Sequence, residues 1–279
     1  MPRLLRFGAI AALLGILFAV PAAVGFYTDW LWFGEVGFQS VYLTMLRAQG
    51  AMFAVMFAVT ASWLLVNLRA AIASVSHARP VFTTRDGVQV PLPGRRQLEA
   101  VVPFVALIGA FVVALAASGE WEVWLSWRNA VPFGRVDPVL GRDISFFIFT
   151  LPVIQEVRTT AQVLIVIAAV LSGALYFVSG SLTGGFPARF MLSEGARRHL
   201  ALLAAAFFGT LALGAWTGRA EYLLSPSGLF TGASYADVHG RMPAALLLAV
   251  VALVGAMLAM YQALSPRKWP IPEIGRAHV

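Results

Sequence analysis

The sequence has no cysteine and few charged residues. Charged side chains make up 12% of its 279 residues, whereas hydrophobic ones make up 59%. Without cysteine the chain forms no disulfide, has no thiolate nucleophile and holds no metal cluster through sulfur. Its mean hydropathy of +0.80 reflects more apolar surface than a water-soluble domain of this length can bury. Together these features predict an integral membrane protein.

Six apolar runs are long enough to cross a bilayer. A hydrocarbon core about 30 Å thick requires roughly 20 residues of helix, because lipid offers the backbone no hydrogen-bond partner. The first run also resembles a cleavable secretory signal, with a basic start and small residues near its end, but its continuation to Tyr27 favours an uncleaved helix. The predicted fold class is an all-α, polytopic transmembrane helix bundle. Its spans cover residues 4–26, 48–70, 100–118, 160–180, 199–216 and 243–264.

The basic residues of the loops predict the orientation. Twelve of the 20 lie before the first span or follow the second, fourth and sixth, while the other loops hold seven among nine acids. Because basic loops stay on the cytoplasmic side, we expect a cytoplasmic N-terminus in a bacterial plasma membrane. The long connections 119–158 and 217–242 are then extracytoplasmic. The net charge of +7 follows from these arginines, so we expect a lipid bilayer and no nucleic acid as the partner.

Aromatic residues cluster where the predicted helices leave the outer leaflet. The stretch FYTDWLWFGEVGF follows the first span, and three tryptophans at three-residue spacing follow the third. Trp and Tyr rings prefer the headgroup layer. The pattern predicts helices lying in the interface, one of them from Trp30 to about Leu46. The predicted interface anchors are Tyr27, Trp30, Trp32, Trp121, Trp124 and Trp127.

The outer connections hold the candidate functional residues. Asp237 and His239 are two apart, so in an extended segment both side chains point the same way and could share a metal or a proton. The alternative is a hydrogen-bonded turn or a helix cap. No catalytic, metal-binding or cofactor-binding motif accompanies them, and we expect no cofactor. The further candidates are Tyr235, Asp143 and Asp137.

A second outer segment, DISFFIFTLP, is apolar but too short to span a membrane. It could re-enter the bilayer or lie on its surface, or the whole connection could cap the bundle. The spans themselves contain no Asp, Glu, Lys or Arg near their centres, which disfavours an ion-coupled transporter. Small residues allow close contacts between the helices. They include Gly109, Gly173, Gly209 and Gly214.

Three segments, in the same order, resemble the uncharacterised protein family 0182 of large bacterial membrane proteins. They are YTDWLWFGEVGF, DPVLGRDISFFIFTLP and GLFTGASYADVHGRMPA. The resemblance covers residues 4–272 and implies about seven N-terminal spans followed by a large soluble region outside the cytoplasm. It implies no established activity and supplies no catalytic residue.

Against that family pattern the chain stops early, so we expect an N-terminal fragment whose transmembrane domain is residues 1–272. The ending EIGRAHV, residues 273–279, resembles a translated sequencing adapter, and we expect it to be an artefact. The favoured function is to anchor a large extracytoplasmic domain with a structural or envelope-assembly role and partners in the envelope. The alternative is a permease, a channel or a membrane enzyme acting on an envelope or lipid-linked substrate.

Overall fold

The computed structural model describes residues 2–74, 81–83, 89–91, 93–183, 191–225 and 232–265. Within these ranges the chain is mainly helical, with two short antiparallel hairpins between helices. The predicted artefact at residues 273–279 lies outside the described residues. The helices are α1 (Pro2–Glu35), α2 (Gln39–Ala73), α3 (Arg95–Ala117), α4 (Trp121–Arg128), α5 (Leu151–Val178), α6 (Glu194–Tyr222) and α7 (Met242–Leu264). The hairpin strands are β1 (Val81–Thr83) with β2 (Gln89–Pro91), and β3 (Leu182–Thr183) with β4 (Met191–Leu192).

Six helical segments of the described chain are long and apolar enough to cross a membrane. This confirms the predicted all-α, six-span fold, although most of the helices extend beyond their predicted ends. Helix α2, with 35 residues, is about 53 Å long at 1.5 Å per residue and exceeds a bilayer core of about 30 Å. The six segments are Gly15–Glu35, Gln39–Ala73, Arg95–Arg128, Phe146–Val178, Glu194–Tyr222 and Asp237–Leu264.

Helix α2 forms the centre of the bundle and packs against α3, α5 and α6. Its buried Leu64 and Leu68 belong to one cluster with Ala106 of α3, Ala168 of α5 and Leu203 of α6. Lipid is as apolar as leucine, so close packing rather than water exclusion holds such helices together. Helix α3 contributes a stripe of fully buried alanines at four-residue spacing, namely Ala106, Ala110 and Ala114.

The glycines predicted to allow close helix contacts divide into two pairs. A Cβ on Gly109 would lie 3.0 Å from Leu64 Cδ1, and one on Gly214 would lie 3.1 Å from Arg158 Cδ. A Cβ on Gly173 or Gly209 would meet no atom of a neighbouring element within 4 Å in the described part of the chain. The alanine stripe of α3 therefore provides contacts that the glycine pattern did not indicate.

The predicted interfacial helix from Trp30 to about Leu46 is wrong, because the chain breaks between α1 and α2. Gly37 has φ +78°. Its N–H donates to Gly34 O at 3.2 Å, and the N–H of Phe38 donates to Phe33 O at 2.9 Å. This pair of bonds is the Schellman motif, which ends a helix and favours glycine at the left-handed position. The sequence GEVGF thus stops α1, and α2 begins at Gln39.

DISFFIFTLP is not a re-entrant segment, since its residues Phe146–Thr150 form a π-helical turn that continues directly into α5. The same arrangement recurs at Asp237–Arg241, which continues into α7. In both cases the second residue after the turn is a proline, Pro152 or Pro243. Proline lacks an N–H and crowds the carbonyl four residues earlier, and a wider turn accommodates both effects.

Candidate functional site

Asp143 binds the backbone of its own loop, which connects α4 to α5. Its Oδ1 accepts from the N–H of Ser145 at 2.8 Å and of Phe133 at 3.1 Å, and its Oδ2 accepts from the N–H of Gly134 at 2.9 Å. Hydrogen bonds to the ionised carboxylate, led by those from the side chain and backbone of Ser145, lower the pKa of Asp143 to about 2. Asp143 is therefore ionised at neutral pH, and its hydrogen bonds stabilise the loop.

Asp137 closes the turn of the same loop. Its Oδ2 accepts from the N–H groups of Val139 at 3.0 Å and Leu140 at 2.6 Å, and its own N–H donates to Arg142 O at 2.8 Å. Gly141 completes the turn with φ +64°. Both aspartates use their oxygens to fold residues 133–145 into a compact hairpin-like loop.

Ser234 and Asp237 together cap the helical segment that leads into α7. The N–H and hydroxyl of Ser234 donate to its Oδ2 at 2.8 and 2.7 Å, and its N–H donates to Ser234 Oγ at 3.2 Å. This reciprocal pair is a capping box with Asp in the third position. Oδ1 accepts from Arg241 Nη1 at 2.9 Å, and Asp237 is only 3% exposed. These contacts are those of the helix cap that the sequence offered as the alternative to a metal or proton site.

His239 points away from Asp237, because the segment is helical rather than extended. Its ring stacks on Tyr235 with centroids 4.1 Å apart, and its Nδ1 lies 3.2 Å from Tyr235 O. Tyr235 itself is 79% exposed. Among the described residues, no cluster of three or more His, Asp or Glu side chains could hold a metal ion. The structure thus brings Tyr235 to His239 and Asp237 to Arg241, and does not join the two pairs.

The predicted interface anchors occupy two kinds of environment. Tyr27 and Trp32 are mostly exposed on α1. Trp30 instead packs against Tyr42 of α2, with ring centroids 6.3 Å apart, and Phe26 and Phe33 of α1 contact the same tyrosine. Since positions 26, 30 and 33 lie on one face of a helix, this aromatic cluster joins α1 to α2.

The tryptophans of α4 differ in exposure along the helix. Trp127 is 46% exposed and meets Trp124 edge to face, with centroids 6.2 Å apart. Trp121 and Trp124 are partly buried and line a cleft of about 320 Å³ against Met52 and Met56 of α2. Trp121 and Trp124 therefore pack on the bundle, whereas Trp127 is exposed enough to reach a headgroup layer.

A largely buried polar chain that sequence reasoning missed connects α2, α5 and α6. The Tyr176 hydroxyl lies 2.8 Å from His199 Nδ1, and His199 Nε2 lies 3.0 Å from Asn67 Oδ1. The amide nitrogen of Asn67 donates to Trp63 O at 2.8 Å. Asn67 Oδ1 is therefore left to accept from Nε2–H, and Nδ1 accepts the tyrosine hydroxyl proton.

This polar chain lies at the end of the bundle opposite the 133–145 loop. Tyr176 is in the last turn of α5, and His199 is in the second turn of α6. Ser74, which caps α2, extends the chain with its Oγ 3.4 Å from the Tyr176 hydroxyl. The available sequence signal was a set of polar residues inside otherwise apolar runs, since a buried polar group in a membrane needs a partner.

Together, these features are those of a polytopic helical membrane protein. The helices are long and apolar, hydrogen bonds join them, and the loops fold against their ends. The chain belongs to the uncharacterised protein family UPF0182, whose sequence model matches residues 7–279. This confirms the family resemblance read from the three sequence segments.

Curated relatives come from several bacteria. The UPF0182 protein of Tropheryma whipplei (strain TW08/27) is 35% identical over 280 residues, which are 96% of this chain and 28% of that protein. Those of Mycobacterium tuberculosis (strain ATCC 25177 / H37Ra) and Corynebacterium glutamicum (strain R) are 34% and 31% identical, over 95% of this chain and 27% of each protein. The chain thus spans a little over a quarter of the length of these relatives. No solved structure matches it significantly.

Proposed function

We propose that this chain is the membrane anchor of a longer protein and that it holds a large extracytoplasmic region at the bacterial plasma membrane. In this proposal the N-terminus is cytoplasmic, and the role is structural or in envelope assembly. The relatives' greater length supports the existence of a further region, because about three-quarters of each lies beyond the aligned part. The distribution of basic residues supports the orientation.

The observation that carries the proposal concerns the acidic residues of the outer segments. Their carboxylate oxygens accept hydrogen bonds from backbone N–H groups and from Arg241; these residues are Asp137, Asp143 and Asp237. At this end of the bundle, Leu140 of the loop packs against the buried Phe147, Leu151 and Ala220. Nearer the other end, the core where α2, α3, α5 and α6 meet is filled by apolar side chains. Outer loops whose carboxylates are taken up by their own hydrogen bonds and ion pair favour an anchor over a permease or a membrane enzyme, because these three groups are not free to bind or act on a substrate.

Orientation can be tested with single cysteines, because these 279 residues contain none and any cysteine elsewhere in the full-length protein can first be replaced by serine. Val139, in the α4–α5 loop, and Leu192, in β4, are exposed and lie beyond opposite ends of α5. In intact cells expressing the full-length gene, a membrane-impermeant maleimide should label Val139→Cys and should label Leu192→Cys only after permeabilisation. The reverse pattern would overturn the proposed orientation.

The anchoring role needs a separate experiment. The region that follows this chain in the full-length protein is fused to an unrelated membrane anchor of matching orientation and expressed in a deletion strain. If the bundle only anchors, the fusion restores the phenotype of the intact gene. Failure to restore it, with the fusion present at the membrane in normal amount, would instead favour a permease or enzyme within the bundle.

A further inference from the structure

We infer that a cleft between the α4–α5 loop and the outer end of α6 binds the phosphate group of an anionic phospholipid. The cleft has a volume of about 220 Å³. Arg142 reaches it from the loop and Arg219 from the last turn of α6, so two separate elements bring guanidinium groups to one place. The other walls include Leu140, Phe146, Trp216 and Ala220.

Aromatic rings support both arginines. Arg142 Cζ lies 5.4 Å from the centroid of the Phe146 ring, and Arg219 Cζ lies 5.4 Å from that of Trp216. Arg219 Nε also donates to Trp216 O at 3.0 Å, which leaves its two terminal nitrogens for a ligand. A guanidinium held over a ring in this way loses less freedom when it binds phosphate through two parallel hydrogen bonds.

Within the described part of the chain, neither arginine is neutralised by a carboxylate. The ion pairs found there join Arg95 to Glu99, Arg198 to Glu194 and Arg241 to Asp237. The nearest acids in sequence face elsewhere. Asp143 binds the amides of its own loop, and Glu221 lies about 200° around α6 from Arg219. The cleft therefore carries uncompensated positive charge.

A simpler role exists for Arg219, because a cation in the last turn of a helix interacts favourably with the helix dipole. That role does not account for Arg142, which belongs to a different element. The apolar walls favour a lipid over free phosphate, since they can contact the glycerol and upper acyl chains while the guanidinium groups hold the headgroup. Trp216 marks the headgroup level at this end of α6.

For the test, the full-length protein is reconstituted in nanodiscs of phosphatidylcholine with added phosphatidylglycerol and then released from them. Native mass spectrometry counts the lipid molecules that stay bound. The double variant Arg142→Gln with Arg219→Gln should retain about tenfold less phosphatidylglycerol than the wild type. The matched control is Arg47→Gln with Arg135→Gln, which removes the same charge from exposed positions outside the cleft. It should retain lipid as the wild type does.

Three results would overturn the inference. They are unchanged lipid retention in the cleft variant, an equal loss in the control variant, and displacement of the lipid by millimolar inorganic phosphate. Thermal unfolding of each variant checks that it is folded. If the double variant is not folded, the single variant Arg142→Gln replaces it, because Arg142 is on an exposed loop, and it should show a smaller loss than the double variant because Arg219 remains.

Discussion

The Tyr176 hydroxyl and His199 Nδ1 lie 2.8 Å apart and join α5 to α6 inside the bundle. The second ring nitrogen of His199 reaches Asn67 on α2. The His199 side chain thus joins three helices. Tyr176 and Asn67 are buried, so their polar groups depend on this contact.

His199→Ala should destabilise the protein by about 1–3 kcal/mol, because it leaves the buried polar groups of Tyr176 and Asn67 without their partner. The measurement is thermal unfolding of the full-length protein in detergent. The matched control is His239→Ala, an exposed histidine whose ring stacks only on the exposed Tyr235 among the described residues, which should leave the midpoint nearly unchanged. Equal midpoints for both variants would contradict a structural role for the polar chain.

Gly37→Ala should destabilise the junction of α1 and α2 by about 1–2 kcal/mol, because a side chain at φ +78° is strained. Gly50→Ala is the matched control. Gly50 lies within α2 with open space around it, so alanine there should be neutral or stabilising by up to about 1 kcal/mol. Chemical or thermal unfolding of the two variants in parallel checks the sign of each change, and a stabilising Gly37→Ala would refute the helix-stop assignment.

Gly195→Ala should push the start of α6 away from the end of α2. A Cβ at this position would lie 2.6 Å from Ser74 Cβ and 3.7 Å from Ser74 Cα, which are not the mobile end of a side chain. We expect a loss of about 1–3 kcal/mol, as for other overpacked contacts. Gly209→Ala, on the same helix with no described neighbour within 4 Å of the added methyl, should not destabilise. Unfolding midpoints that fall equally for the two variants would argue against the contact.

Asp143 should make the α4–α5 loop sensitive to acid. Its folded pKa of about 2 lies below the ordinary value of 3.8, so the ionised group stabilises the loop fully above about pH 4. That contribution is lost as the pH falls towards 2. Hydrogen exchange of the peptide containing Phe133 and Gly134, corrected for the intrinsic rate at each pH, should show protection disappearing over this interval.

Asp143→Asn should lose most of this protection at neutral pH and show little change between pH 4 and pH 2. Glu122→Gln removes an exposed acid from α4, at the same end of the bundle, and should retain the wild-type profile. An unchanged exchange profile in Asp143→Asn would show that the carboxylate does not hold the loop.

Asp237→Ala should cost about 1 kcal/mol, because the N–H and hydroxyl of Ser234 lose their carboxylate acceptor, whereas Asp237→Asn keeps an acceptor for Ser234 and should cost less. The lost pair with Arg241 contributes little, because that arginine side chain is 63% exposed. Both variants in the full-length gene should reach the membrane at normal level and leave the phenotype intact. A lost phenotype in Asp237→Asn at normal protein level would reveal a role beyond the cap.

Several local features of the structure were readable in the sequence. The six apolar runs predicted the spans, because the number of apolar residues that a helix needs to cross a bilayer can be counted along the sequence. The helix end at GEVGF was also visible as a motif, with a glycine just before the start of α2. The aromatic residues around it are equally typical of a helix that lies in the membrane interface, which is what we predicted. Ser234 and Asp237 likewise have the spacing of a capping box.

The contacts between elements could not be read in the same way. Trp30 was predicted to face headgroups, but its position one turn from Phe26 and Phe33 places it against Tyr42. Asp237 and His239 appeared paired only on the assumption of an extended segment. The polar chain through His199 requires residues as far apart as 132 positions, and no local pattern encodes which helices will be neighbours.

The sequence by itself determined that the chain is a six-span helical membrane protein of the UPF0182 family, because hydrophobic run length and motif order are local properties. Only the tertiary structure decided which faces of the helices meet. The side chains in lipid and those between helices are equally apolar, so hydrophobicity does not distinguish them. Close packing at Ala106, Ala110 and Gly195, and hydrogen bonds such as that between Tyr176 and His199, select the arrangement.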